Sequence, residues 1–244
     1  MNFNTFIINE SIKKDTINID DLYNILTTKC SNFDIKKPFW RGTSNRINNN
    51  IYIADGSITE RKSANTSNHY TVIIDEALRL DDNTHPLRSK SIICANYYNK
   101  AHAEDYGKLY AVIPFNEAKI GVTASDDIWD TEIVINDFEL MLPIFNRKLR
   151  DCNITDKSFN DIVTGIKDAI NKDTKDSDFI RLKQIFENIN IKDELLNAFS
   201  PNTLGFKFGD GKSVSKLTNA HELWIAGKCV FVEANIWSDF IKQY

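Results

Sequence analysis

The sequence has few of the residues that bind metals or cross-link a chain. Its 244 residues include only four cysteines and four histidines. The cysteines are far apart and form no CxxC pair, and the histidines show no metal-ligand spacing, which argues against a disulfide scaffold and predicts no metal site. Two of the cysteines lie in apolar, strand-like runs, where buried free thiols are expected. These two are Cys94 and Cys229.

An excess of positive charge and a long apolar run are also absent. The formal net charge is −4, which argues against a protein that binds nucleic acid by neutralising phosphates, so no stable DNA binding is expected. No apolar run approaches the roughly 20 residues that span a bilayer, and the first residues lack the basic-then-apolar order of a signal peptide. The sequence therefore predicts a soluble intracellular protein that does not bind membranes.

The residues that are present suffice for a sizeable core. Hydrophobic residues make up 42% of the chain, with fifteen Phe and eight Tyr. Strand-like patterns dominate the first half and the C-terminal segment, whereas residues 133–200 follow a helical period of 3.6. This change predicts an α+β protein with a core formed by 1–132 and 201–244 and a helical insertion or subdomain at 133–200.

The most clearly bounded stretch is Pro86–Pro114. Its pattern predicts a strand over Ser89 to Ala95, a short helix capped by Asn96, a stop at Gly107 and a second strand over Leu109 to Ile113. Further patterns predict two helices, a strand, a flexible loop and a tight hairpin of two apolar strands. These elements are, in that order, Ile19–Cys30, Tyr70–Leu80, Ile51–Ala54, Gly209–Ser213 and 222–225 with 229–232.

Two charged residues stand at the ends of apolar strands. Arg41 closes a short strand and is followed by Gly42, which would let a ligand or backbone approach closely. An arginine there either faces a cleft and meets an anion or extends its charge into solvent. Glu222 stands at the entry of a strand, as a solvated terminus or as a site residue. The residues alone leave both alternatives open.

Three short motifs give these residues a common context. Arg41 in FWRG, Ser89 in RSKSII and Glu222 in HELWIAGK have the order and setting of the Arg–Ser–Glu triad of ADP-ribosyltransferases. The chain resembles a mono-ADP-ribosyltransferase-like protein of the kind found in large tailed bacteriophages. The similarity covers roughly half of the chain, in residues 38–43, 61–66, 86–122 and 219–232.

The resemblance implies a split β-sandwich with flanking helices and a site that takes NAD as substrate. Glu222 would stabilise the positive charge that develops on the ribose as nicotinamide leaves, as a carboxylate does in glycoside hydrolysis. Arg41, with Arg88 as a second candidate, would hold the phosphates through a guanidinium fork. Ser89 would hydrogen-bond the ribose, with Ser91 as the alternative.

The resemblance implies further contacts to the nicotinamide. The Gly42 backbone would pair with its amide, and Tyr98 or Tyr106 would stack on its ring. Both tyrosines share a predicted helix face with His102 and would serve equally well as packing residues.

The sequence departs from the family pattern at two places. Ala220 stands where many arginine-modifying members have an acidic or amide residue, and Lys90 separates the two serines. The expected activity is mono-ADP-ribosylation of a host macromolecule, a protein or an RNA. The expected location is the host cytoplasm, with carriage in the virion as a further option. The alternative is a catalytically inactive protein of the same fold that acts as a virion or anti-defence binding module.

Overall fold

A computed structural model describes residues 14–43, 49–58, 68–128 and 200–243. They are mixed α and β, as predicted, and contain one antiparallel sheet and five α-helices. The nine strands are β1 (Lys14–Thr16), β2 (Phe39–Thr43), β3 (Ile51–Asp55), β4 (Ile92–Ala95), β5 (Lys108–Pro114), β6 (Lys119–Val122), β7 (Lys207–Gly209), β8 (Glu222–Ala226) and β9 (Lys228–Glu233). The helices are α1 (Ile19–Lys29), α2 (Asn68–Asp81), α3 (Lys100–Glu104), α4 (Gly211–Val214) and α5 (Ala234–Gln243).

The sheet has the order β1-β3-β9-β5-β2-β4-β8-β6-β7 and is nearly interrupted at its middle. There β2 and β4 share a single residue pair, Trp40 with Ala95. By contrast, β2 pairs with β5 through five residues and β4 with β8 through four. The ladder thus consists of two well-paired parts, β1-β3-β9-β5-β2 and β4-β8-β6-β7, joined at one point.

The last two strands are confirmed, but their predicted pairing as a hairpin is wrong. β8 pairs with β4 and β6, whereas β9 pairs with β3 and β5, so consecutive strands belong to different parts of the sheet. The chain crosses over at Gly227, whose φ of 129° lies in the region that favours glycine. Strands buried on both faces carry no alternating pattern that would reveal their neighbours.

The helix predictions are confirmed for α1 and α2. The Asn18 side chain caps α1 by accepting from the Asp21 N–H at 2.8 Å, and Leu22 and Leu26 are buried. The predicted loop at 209–213 is wrong, because Asp210 and Ser213 form a capping box that starts α4. Cys94 and Cys229 are buried free thiols, as predicted.

The described residues divide into two compact units. The first contains 14–43, 49–58, 85–128 and 206–243, and therefore the whole sheet; the second contains 68–84, with α2, and 200–205. The prediction of a helical insertion at 133–200 lies outside the described residues. Among the described residues, no helix has the length and hydrophobicity to cross a bilayer.

Candidate functional site

Arg41 lies where β2 and β4 separate. Its side chain is 5% exposed, and its Nη1 donates to the Ile93 carbonyl of β4. Beyond the pair of Trp40 with Ala95 the two strands no longer pair, so the guanidinium takes the place of a backbone donor. The reading of Arg41 as a solvent-directed strand end is therefore wrong.

Gly42 contributes its backbone and its lack of a side chain to the same place. A Cβ atom on Gly42 would lie 2.1 Å from the Ala103 carbonyl and 2.8 Å from the Tyr106 Cβ, so only glycine lets this part of the chain cover β2. The Asn96 N–H points away from β2, since it donates at 3.0 Å to the carbonyl of His221, the residue directly before β8. Because alternate residues of a strand direct their N–H and C=O to opposite neighbours, Ala95 directs its groups to its partner Trp40 in β2, and Trp40 directs its own to β4. Gly42, two residues after Trp40, therefore also directs its N–H and C=O to the β4 side, into the gap between the separating strands.

Glu222 and Arg88 form a buried ion pair. Arg88 Nη1 donates to Glu222 Oε1, and the side chains are 2% and 9% exposed. Arg88 reaches this position from a 3₁₀ turn, Arg88–Lys90, that precedes β4. The reading of Glu222 as a solvated strand end is wrong, because its charge is removed from water and matched by a guanidinium.

The N–H and the carbonyl of Glu222 are both hydrogen-bonded to the segment that follows β6. Its N–H donates to Ser125 O at 3.1 Å, and its carbonyl accepts from the Thr123 N–H at 3.0 Å and from Thr123 Oγ1 at 2.9 Å. Trp40, Ala95 and Glu222 are paired in one row across β2, β4 and β8, so the backbone of Glu222 lies two strand spacings, or about 10 Å, from that of Trp40. Glu222 thus stands on a fixed backbone one strand beyond the gap.

Asn96 does not cap a helix through its side chain, as the sequence had indicated. Its Oδ1 accepts from the His221 N–H at 3.1 Å, and its Nδ2 donates to Asn219 O at 2.6 Å. Asn96 is 2% exposed. It therefore clamps the segment directly before Glu222, a role that sequence reasoning missed because both partners lie more than 120 residues away in the chain.

The two candidate serines are buried but do not lie in a strand. Ser89 belongs to the 3₁₀ turn with Arg88, and β4 begins only at Ile92, so the predicted strand from Ser89 is wrong at its start. The polar residues at the head of this stretch form a tight turn instead of joining the ladder. Ser91 donates from Oγ to Leu87 O at 2.7 Å, which stabilises this turn.

The two candidate tyrosines take different places. Tyr98 belongs to a 3₁₀ turn, Tyr97–Asn99, and is 45% exposed, with Lys37 Nζ 5.9 Å from its ring centroid. Tyr106 follows α3 and contacts His102, with 3.3 Å from its hydroxyl to Nε2. The structure therefore brings Tyr106, and not Tyr98, against Gly42.

Trp40 is a further residue of this region that the sequence did not single out. It is 6% exposed, and Lys100 Nζ lies 4.8 Å from its ring centroid. Its indole N–H is buried, and no hydrogen-bond partner for it occurs among the described residues. A buried donor of this kind at a strand junction is a feature that a bound ligand can satisfy.

One groove in the described part of the chain lies away from the candidate residues. A groove of about 560 Å³ between α1 and α5 contains none of the candidate residues; it is lined by Ile19, Asp20, Tyr23, Ile236, Asp239, Phe240 and Gln243. Within the part of the chain that the structure describes, no three His, Cys, Asp or Glu side chains come together as metal ligands would.

Comparison with known proteins adds no identification. No family model, no curated protein and no solved structure matches the chain.

Proposed function

We propose that the protein is an NAD-dependent mono-ADP-ribosyltransferase that modifies a host protein or RNA and releases nicotinamide. The fold proposed with this function is the split β-sandwich of that family. The observation that carries the proposal is that a buried ion pair of Arg88 with Glu222 lies one strand from the place where the buried Arg41 bridges the separating strands β2 and β4.

The charges of this set suit a dinucleotide. Arg41 and Arg88 carry two positive charges against the one negative charge of Glu222, and a guanidinium fork binds phosphate oxygens bidentately. The backbone of Gly42, directed into the gap, supplies a donor and an acceptor that match a carboxamide. Ser89, next to Arg88 in the same turn, supplies a hydroxyl for the ribose.

Glu222 supplies the catalytic charge in this proposal. Breaking the bond from the ribose C1′ to the nicotinamide nitrogen leaves the electron pair on nicotinamide and positive charge on the ribose. A carboxylate beside that ribose stabilises the charge as it develops, and the acceptor then attacks C1′ and loses its proton. The backbone bonds to Thr123 and Ser125 hold Glu222 in place, so little reorganisation is needed.

The test is NAD turnover and self-modification in the wild type and in two variants. Glu222→Gln removes the charge while keeping the shape, and kcat should fall on the order of 100- to 1000-fold, the cost of removing one stabilising group. Arg41→Ala should raise KM for NAD and reduce turnover, because a phosphate contact is lost.

A matched control is Glu233→Gln. Glu233 also lies at the end of a strand and is ion-paired, with Lys108 at 2.8 Å, but it belongs to β9. Its substitution should leave NAD turnover unchanged. Full turnover in a folded Glu222→Gln variant would contradict the mechanism.

A second candidate is the catalytically inactive binding module of the same fold. The observation that favours it is the ion pair itself, because the Glu222 carboxylate is engaged by Arg88. Calorimetry with NAD separates the candidates: an inactive module that has lost the site gives no heat at millimolar NAD, whereas the transferase gives a saturable signal.

A further inference from the structure

We propose that Asn96 is a positioning residue that holds Glu222 in its catalytic place, an inference that rests on the proposed function. Asn96 makes three hydrogen bonds to the segment before Glu222, one from its backbone and two from its side chain. None of the three bonds is to Glu222 itself, so Asn96 acts through the chain that carries the carboxylate.

The side chain of Asn96 suits this task because its amide is both donor and acceptor. Nδ2 donates to Asn219 O at 2.6 Å while Oδ1 accepts from the His221 N–H at 3.1 Å, so one planar group bridges two peptide units. Asn96 is 2% exposed, and water therefore cannot replace it readily. The backbone bond from the Asn96 N–H to His221 O, at 3.0 Å, completes the clamp.

A second set of contacts fixes the other side of the same segment. The His221 ring has its Nδ1 2.9 Å from Thr123 O, and Thr123 in turn donates twice to Glu222 O. The peptide units on either side of Glu222 are therefore held by the Asn96 backbone, Ser125 and Thr123, and the Asn96 side chain holds the two peptide units that precede them. Removing the Asn96 amide frees these two preceding units.

The consequence is a specific kinetic signature. Asn96 has no place among the groups proposed to bind NAD, so its loss should leave NAD affinity unchanged while the carboxylate is misplaced. A displacement of about 1 Å can cost on the order of 100-fold in rate. We therefore expect kcat to fall by that order in Asn96→Ala, with KM for NAD within about twofold of the wild type.

The conservative variant Asn96→Asp separates positioning from general damage. It keeps the size of the side chain and the acceptor for the His221 N–H but sets a carboxylate oxygen against Asn219 O in a buried place, so kcat should fall at least as far as in Asn96→Ala, whereas a role in packing alone would leave kcat near that of the wild type. Asn116 provides the matched control, since its side chain also makes two hydrogen bonds, to Asn32 N–H at 2.9 Å and Ser31 Oγ at 3.1 Å. Asn116→Ala should leave kcat unchanged.

A readout independent of turnover comes from backbone hydrogen exchange. The His221 amide, bonded to Asn96 Oδ1, should be protected in the wild type and should exchange at least tenfold faster in Asn96→Ala, with the Glu222 amide following. In Asn116→Ala neither amide should change.

The outcomes are distinguishable. Absence of NAD binding and turnover in the wild type overturns the proposed function. In that case the positioning inference falls too, because faster exchange at His221 in Asn96→Ala would show only that Asn96 clamps the segment, without a catalytic role. With an active wild type, an unchanged kcat in Asn96→Ala, or a loss that appears mainly in KM, overturns the positioning inference alone. A selective fall in kcat with faster exchange at His221 supports both.

Discussion

Breaking the buried ion pair between Arg88 and Glu222 should be among the most destabilising single changes in the described residues. Arg88→Ala removes the guanidinium from a carboxylate whose side chain is 9% exposed. Leaving one charge of a buried pair without its partner costs about 3–5 kcal/mol. For a chain of this length each kcal/mol corresponds to about 2–4 °C, so Tm should fall by roughly 6–20 °C.

The assay is a double-mutant cycle followed by urea unfolding. Arg88→Met and Glu222→Leu are made singly and together, because replacing both charges by apolar groups of similar size restores most of the stability. The coupling free energy should be several kcal/mol. Lys242→Ala breaks an exposed pair, with Asp239 at 3.1 Å, and should change stability by less than about 0.5 kcal/mol.

A loss of stability in Arg88→Ala as small as that of the surface control would contradict this prediction. A loss below about 1 kcal/mol would mean that Glu222 remains hydrated or finds another partner, and the proposed electrostatic site would lose its buried character. A double variant no more stable than either single variant would show that the two side chains act through packing and not through their charges.

Two further predictions concern the thiols and Gly42. Burial raises the pKa of the Cys30 thiol to about 12 and that of Cys229 well above its usual range. The unfolded chain loses these protons at lower pH than the folded chain does, so the free energy of unfolding should be constant below about pH 9 and should fall above it by about 1.4 kcal/mol per pH unit for each thiol. Urea unfolding at about pH 8 to 11 measures this dependence, and a free energy of unfolding that does not change with pH would contradict it. Gly42→Ala should lower stability by at least about 1–3 kcal/mol, because the new methyl group meets the Ala103 carbonyl; an unchanged thermal melt would show that α3 moves away freely.

The local elements were predictable where a short pattern is sufficient. Helix α1 follows from the spacing of Leu22 and Leu26, although its cap, Asn18, was not predicted, and the strands at Arg41 and Glu222 follow from apolar runs. The capping box at Asp210 was equally local, but its glycine-rich setting indicated a loop. Local patterns decide such elements because their contacts lie within one or two turns of chain.

The partners of the strands were not predictable in this way. The predicted strands 222–225 and 229–232 are separated by three residues, which favours a hairpin, yet β8 and β9 pair with different strands. The pairing is decided by which faces are buried in the whole sheet and by a left-handed turn at Gly227.

The sequence by itself determined the α+β class, most of the elements and the candidate residues Arg41, Ser89 and Glu222. The tertiary structure decided that Arg88 pairs with Glu222 across 134 residues and that Asn96, 125 residues from His221, holds the segment before it. A side-chain pattern records which residues are apolar or charged within a short window. Which distant group a buried charge meets depends on the sheet that brings them together, since burial and partner arise only when the chain is folded.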